Sequence, residues 1–216
     1  MTCVENALPP RPSSRFESSC CRIPGRENPH LFWIESRLRL GWVAFESETP
    51  STVDLQGGTM SNPITSTLSE ESQKIAGDAL QASLVDLIDL SLIAKQAHWN
   101  VVGSQFRSVH LQLDELVTDS RTFVDEVAER AAAIGVSPDG RAETVAKTAS
   151  TVGFDEGWQK DGRVVGAIVA NLAAVVKALR ARIDATESAD PVTQDLLIAI
   201  TARLEQLHWM WQAQQA

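Results

Sequence analysis

From Met60 to the end of the chain, the helical period of apolar side chains breaks in only three places: at Gly103, between Gly135 and Trp158, and at Asp190–Pro191. The breaks leave four stretches that each suit a helix of roughly 25 to 30 residues. None of them alternates with the period of two that a half-buried strand requires. The first starts at Thr67, with Glu70 three residues on as a capping box, and carries Ile75, Leu80, Leu84, Leu87, Ile88 and Ser91 towards a core. Gly103 stops it. Ser104 can cap the second, which runs through Phe106, Val109, Leu113, Leu116, Phe123 and Val127 to Gly135. The third spans Trp158 to Asp184. Asp190 then offers a capping carboxylate and Pro191 a first helical residue that needs no N–H, so the fourth runs from there to Gln214.

The connections decide how these helices stack. Two are short and one, rich in Gly, Pro, Ser and Thr, is long; within it Arg141 to Ala149 can form a short helix. The expected fold is all-α: a four-helix bundle of the ferritin-like kind, with a long crossover between helices 2 and 3. Residues 1–59 are a different kind of sequence, holding all three cysteines, six arginines, no lysine and no sustained apolar period. They read as an N-terminal extension, either disordered or lying upstream of a true start at Met60, with 60–216 as the domain. A targeting peptide is the weaker reading, because no charged start leads into an apolar stretch. The adjacent Cys20 and Cys21 match no usual zinc spacing. The longest apolar run, Val164 to Val176, stops at Lys177, short of the roughly 20 residues a membrane span needs. No membrane association is expected, and the location is expected to be cytoplasmic.

Five potential metal ligands lie between His98 and Gly135: His98, His110, Asp114, Asp125 and Glu129. His110 and Asp114 are four apart, as are Asp125 and Glu129, so each pair shares a helix face. Eleven residues separate Asp114 from Asp125, which keeps both pairs on one stripe but about 16 Å apart along the axis. Metal–ligand distances are about 2 to 2.5 Å, so one centre cannot take both pairs from one helix. Two copies packed antiparallel across a two-fold axis would bring the pairs together, with two such sites per dimer. Plainer readings stand beside this one: His98 as a buried, satisfied histidine, His110 with Asp114 as a local polar pair, Asp125 with Glu129 as a solvated face. A site within one subunit fares worse. Glu205–Gln206–Leu207–His208 gives one Glu-x-x-His, where an intrasubunit di-iron bundle uses two.

The span Lys95–Gly103 (KQAHWNVVG), with Phe106, His110, Asp114 and Asp125 to Arg130 (DEVAER), resembles the DNA-protection-during-starvation (Dps) family of the ferritin superfamily. The resemblance covers residues 66 to 214. It implies a dodecameric homo-oligomer with a di-iron ferroxidase centre at each two-fold interface. His98, His110 and Asp114 would come from one subunit, Asp125 and Glu129 from its partner. It also places Trp99 and Trp209 near the iron, although large aromatics in a bundle are more often core or interface. Asp190 and Asp195 fall where the family tends to line an acidic three-fold pore. The implied activity is oxidation of iron(II), with hydrogen peroxide preferred over dioxygen, and storage of the ferric product.

Charge separates this from a second function class, a nucleoid-packing protein that coats DNA. Residues 60–216 carry 13 Lys and Arg against 21 Asp and Glu, a net charge of −8. Such a surface concentrates cations and repels phosphate. Met60 to Leu68 has no Lys or Arg, and the chain ends Gln212-Ala213-Gln214-Gln215-Ala216. DNA binding by 60–216 is therefore expected to be weak or indirect. A cage without ferroxidase activity, acting as scaffold or metal buffer, is a third reading that the intact ligand set disfavours.

Overall fold

The computed structural model describes residues 63–215. The readings above for residues 1–59 lie outside the described residues. Helix α1, Glu70–Asn100, leads through the short strand β1, Val101–Val102, and a turn into α2, Phe106–Ala133. A crossover follows, containing α3, Ala142–Thr148, and a second short strand β2, Gln159–Lys160. Helices α4, Asp161–Thr186, and α5, Pro191–Gln212, complete the bundle, and a single 3-10 turn, Ala213–Gln215, ends it.

Direction follows from two contacts. β1 and β2 pair in parallel, Val101 opposite Gln159 and Val102 opposite Lys160, so α4 begins at the end of the bundle where α1 finishes. At the other end, Arg130 near the close of α2 meets Asp190 at the start of α5. The order is up, down, down, up, which is the ferritin-like four-helix arrangement with its long crossover between the second and third bundle helices.

Capping explains most of the boundaries. The cap of α1 is Ser69, not Thr67: its hydroxyl accepts from Ser72 N–H at 3.1 Å and sets Glu70 and Glu71 in the first turn, against the positive end of the helix dipole. Ser66, further upstream, is occupied in a local bond from Leu68 N–H. Ser104 does not cap α2; Gln105 precedes it and makes no side-chain cap. Gly135 ends that helix at φ 77°, with Val136 N–H reaching back to Ala131 O at 2.9 Å, a left-handed stop suited to glycine. Asp190 caps α5 as expected, accepting from Val192 and Thr193 N–H. The third bundle helix begins at Asp161, three residues after the exposed Trp158.

One continuous apolar core runs along the bundle, from Leu80, Leu87 and Leu90 of α1 through Leu113 and Leu116 of α2, Ile168, Leu172 and Leu179 of α4, and Leu197, Ile200 and Leu204 of α5. Phe106 is not part of it, being 43% exposed. Helix α4 is, by length and composition, apolar enough to cross a membrane, since Gly166 and Asn171 do not lower its mean hydropathy far. Here its Val164, Ile168, Leu172, Val175 and Leu179 are fully buried in the core.

Polar side chains fasten the crossover. Asp86, fully buried in α1, accepts from Arg182 of α4 at 2.6 Å and from the backbone and hydroxyl of Ser150 at 2.6 and 2.8 Å. Asn171 accepts from Val152 and Gly153 N–H and donates to Gly153 O. A buried carboxylate is tolerable only when paired and hydrogen-bonded in this way.

Candidate metal centre

His98 lies in the last turn of α1 and His110 early in α2, so the turn Val101–Gln105 folds them onto each other. The imidazole rings stack with centroids 3.6 Å apart and planes 22° from parallel. His98 Nδ1 is 3.0 Å from His110 O, and His110 Nδ1 is 3.0 Å from His98 O. A carbonyl oxygen only accepts, so both Nδ1 atoms carry the proton and both Nε2 atoms keep a free lone pair. That tautomer is the one in which a histidine can ligate a metal through Nε2 while its other nitrogen is anchored.

Asp114 is one turn beyond His110 on the same face of α2. One ligand atom from each of His98, His110 and Asp114 falls within a group no more than 4.8 Å across. His98 is 8% exposed, while His110 and Asp114 are half-buried. Lys95, one turn before His98 on α1, donates to Asp114 Oδ1 at 2.6 Å, and His98 Nδ1 lies 3.3 Å from the same oxygen. The hydrogen bond from Lys95 does most to hold the Asp114 carboxyl below its ordinary pKa; partial desolvation opposes it and the Lys95 charge adds to it. Imidazole and carboxylate without thiolate suit iron(II) and other first-row divalent ions.

Asp125 and Glu129 do not join this cluster. They occupy the same side of α2, three turns and more along, and both are exposed. Within one chain the structure therefore brings together three of the five carboxylate and imidazole positions and leaves two on an open surface. Several large apolar side chains are exposed on the bundle helices. Trp99 is 62% exposed and Trp209 59%, and Leu92 and Leu111 stand out from α1 and α2. The ring of Phe106 packs 4.9 Å from that of His110.

One other position differs from expectation. Asp190 is 2% exposed and fully engaged inside the subunit, capping α5 and pairing with Arg130 at 2.5 Å, so its carboxylate has no free face to present to a pore. Asp195, one turn on, is exposed. The Glu205-x-x-His208 match builds no second centre among the described residues: Glu205 pairs with Arg180, and His208 Nε2 is buried without a partner. Lys95 was quoted in the sequence motif without a role. Its position three residues before His98, hence on the same helix face, was the available signal.

Comparison with known proteins agrees with this fold. The ferritin-like domain family matches residues 77–216. The fine tangled pili major subunit of Haemophilus ducreyi is 37% identical over 139 residues, 64% of this chain and 74% of that protein. The DNA protection during starvation protein of Mycolicibacterium smegmatis is 37% identical over 153 residues, 68% of this chain and 80% of that one. Among solved structures, Dps from Microbacterium arborescens in its high iron form aligns with a TM-score of 0.66 at 31% identity, covering 69% of this chain and 97% of that chain.

Proposed function

This chain belongs to the Dps family of ferritin-like proteins, and from that premise we propose that it is a mini-ferritin that oxidises iron(II) at a centre shared between two subunits. His98, His110 and Asp114 of one subunit and Asp125 and Glu129 of its partner would hold two iron ions as substrate. One observation carries the proposal. The histidine pair is locked by its two Nδ1–carbonyl bonds, with a ligand atom of each ring and of Asp114 inside one group no more than 4.8 Å across, while the two remaining carboxylates lie further along the same helix, exposed and outside that group. Half a site with its complement displaced along one helix is what a two-fold axis completes. The exposed Trp99, Leu92 and Leu111 supply the apolar surface that such an interface would cover.

The chemistry follows from the ligands. Carboxylates favour the ferric product over the ferrous substrate because they offer hard anionic oxygens. Two iron(II) ions each give one electron to a hydrogen peroxide molecule. The O–O bond breaks and two waters form with uptake of two protons, so both Fenton reagents are removed together. The ferric ions would then hydrolyse and mineralise inside a homo-oligomeric cage, a dodecamer as in the family. Protection of DNA would follow from this removal. Direct binding is the second reading, and it is disfavoured for residues 60–216 by their net charge of −8.

The test is anaerobic loading with iron(II) followed by stoichiometric peroxide, with absorbance followed in time and particle mass measured in parallel. Rapid oxidation should vanish in the variant carrying His98→Ala and Asp125→Ala while the assembly persists. Wild-type rates in that variant would refute the assigned site.

A further inference from the structure

Between the two histidines the chain makes a turn, Val101–Gln105, which is anchored in the core at Val101 but open to solvent from Gly103 onward. Gly103 through Ser108 are all exposed. Beyond Val101, its exposed part is attached to the segment Gln159–Gly162, which leads into α4, in two ways. The first is the parallel bridge of Val101–Val102 to Gln159–Lys160. The second is the Asp161 carboxylate, which accepts from Gln105 N–H at 2.7 Å and from its own neighbour Gly162 N–H at 2.9 Å. Gly103 lets the two backbones meet: at φ 142° it is in a region that favours glycine, and a β-carbon there would collide with the Asp161 carboxylate. Backbone donation, first from Gln105 and then from Gly162, keeps the Asp161 carboxyl below its ordinary pKa, so the clamp is charged at neutral pH.

The clamp bears on the metal centre through register. The two reciprocal His–carbonyl bonds are both 3.0 Å long, and the rings stack at 3.6 Å. A slip of α2 along α1 by about 3 Å, two helical residues, would stretch bonds that lie across the axis to about 4.2 Å, beyond hydrogen-bonding range. Either imidazole would then be free to turn or change tautomer.

Building on the shared metal-centre reading above, we propose that Asp161, seated against Gly103, is a positioning residue for that centre: it clamps the turn between His98 and His110 and thereby sets the spacing and tautomer of their Nε2 atoms. Asp161 touches neither histidine. Its effect passes through the turn.

The probe is cobalt(II) alone, titrated into the assembled full chain under anaerobic conditions and read by its visible d–d bands. Asp161→Ala and Gly103→Ala should each keep the particle mass, weaken cobalt(II) binding about tenfold, the scale typical when a ligand's supporting group is lost, and alter the band shape. Asp161→Asn keeps one acceptor oxygen for Gln105 N–H and should recover most of the affinity. Thermal melting separates the alternatives. Unchanged affinity and bands in Asp161→Ala and Gly103→Ala, with only a lower melting temperature, would overturn the proposal. If Asp161→Ala does not assemble, Asp161→Asn and Gly103→Ala carry the test by the same criteria. Cobalt(II) binding by the His98→Ala variant equal to that of the wild type would instead sink the metal-centre reading itself.

Discussion

The arrangement of ligand halves predicts complementation between two dead proteins. Asp114 and Asp125 are eleven residues apart on one helix, about 16 Å along its axis, whereas a metal ion reaches its ligands at about 2 to 2.5 Å. On the proposed shared centre no single chain supplies all five ligands, and a two-fold dimer would have two sites, each mixing halves from different chains. A chain with His98→Ala and His110→Ala has lost one half; a chain with Asp125→Ala and Glu129→Ala has lost the other. Each assembled alone should oxidise iron no faster than buffer. In a dimer of one with the other, one site has both defects and the other has none. Random co-assembly at equal amounts makes half the dimers mixed, so about a quarter of all sites should be intact. The assay is the initial rate of peroxide-driven iron(II) oxidation per subunit in co-expressed particles, against the two parents and against wild type. Recovery to about a quarter of the wild-type rate is expected. No recovery in particles shown by mass to contain both chains would refute the shared centre.

Three further outcomes are expected. Lys95→Met removes a cation bonded to Asp114 at 2.6 Å and should tighten divalent cobalt binding about tenfold, the effect of a unit charge roughly 6 Å from a divalent ion in a water-like dielectric; weaker binding in a titration would show instead that Lys95 is needed to hold Asp114. Asp190→Ala removes the cap of α5 and leaves Arg130 unpaired, which should cost about 3 kcal/mol in chemical denaturation. Burial alone would push the Asp190 carboxyl up, but hydrogen bonds from Thr193 and Arg130 and the Arg130 charge bring it below its ordinary value. Its stabilisation is therefore fully present well above the unfolded carboxylate pKa of about 3.9 and lost as the pH falls through the lower folded value. The gap in melting temperature between wild type and Asp190→Ala should accordingly shrink from pH 6 to pH 3, and a constant gap would contradict this. The 60–216 form should not retard DNA in a gel at any salt concentration, whereas salt-sensitive retardation would show cationic contacts that its charge does not predict.

Periodicity and punctuation in the sequence were enough for the fold. Four amphipathic stretches with two short connections and one long one leave few ways to bury their apolar faces, and Gly135 and Asp190–Pro191 end and start helices by backbone chemistry that acts locally. The start of α1 was read two residues early because Thr67, Ser66 and Ser69 are chemically similar caps, and only the surrounding chain selects Ser69. The short β1–β2 bridge was invisible, since two residues on each side carry no period. Phe106 fits the spacing of the apolar stripe on α2, yet it is exposed in the folded chain, as are Gly103 to Gln105 before it.

For the candidate centre the division is sharper. Spacing along a helix is a property of the sequence, so the grouping of His110 with Asp114 and of Asp125 with Glu129, and the distance between the groups, were determined before any tertiary contact. The stacking of His98 on His110, the nitrogens left free, the Lys95 bond to Asp114, the withdrawal of Asp190 into the bundle and the Asp161 clamp on Gly103 were decided only by the folded chain. Each depends on how two helices sit relative to one another to within a few tenths of an ångström. A hydrophobic pattern that repeats every 5.4 Å turn specifies which faces meet, and packing and hydrogen bonds between distant residues supply the rest.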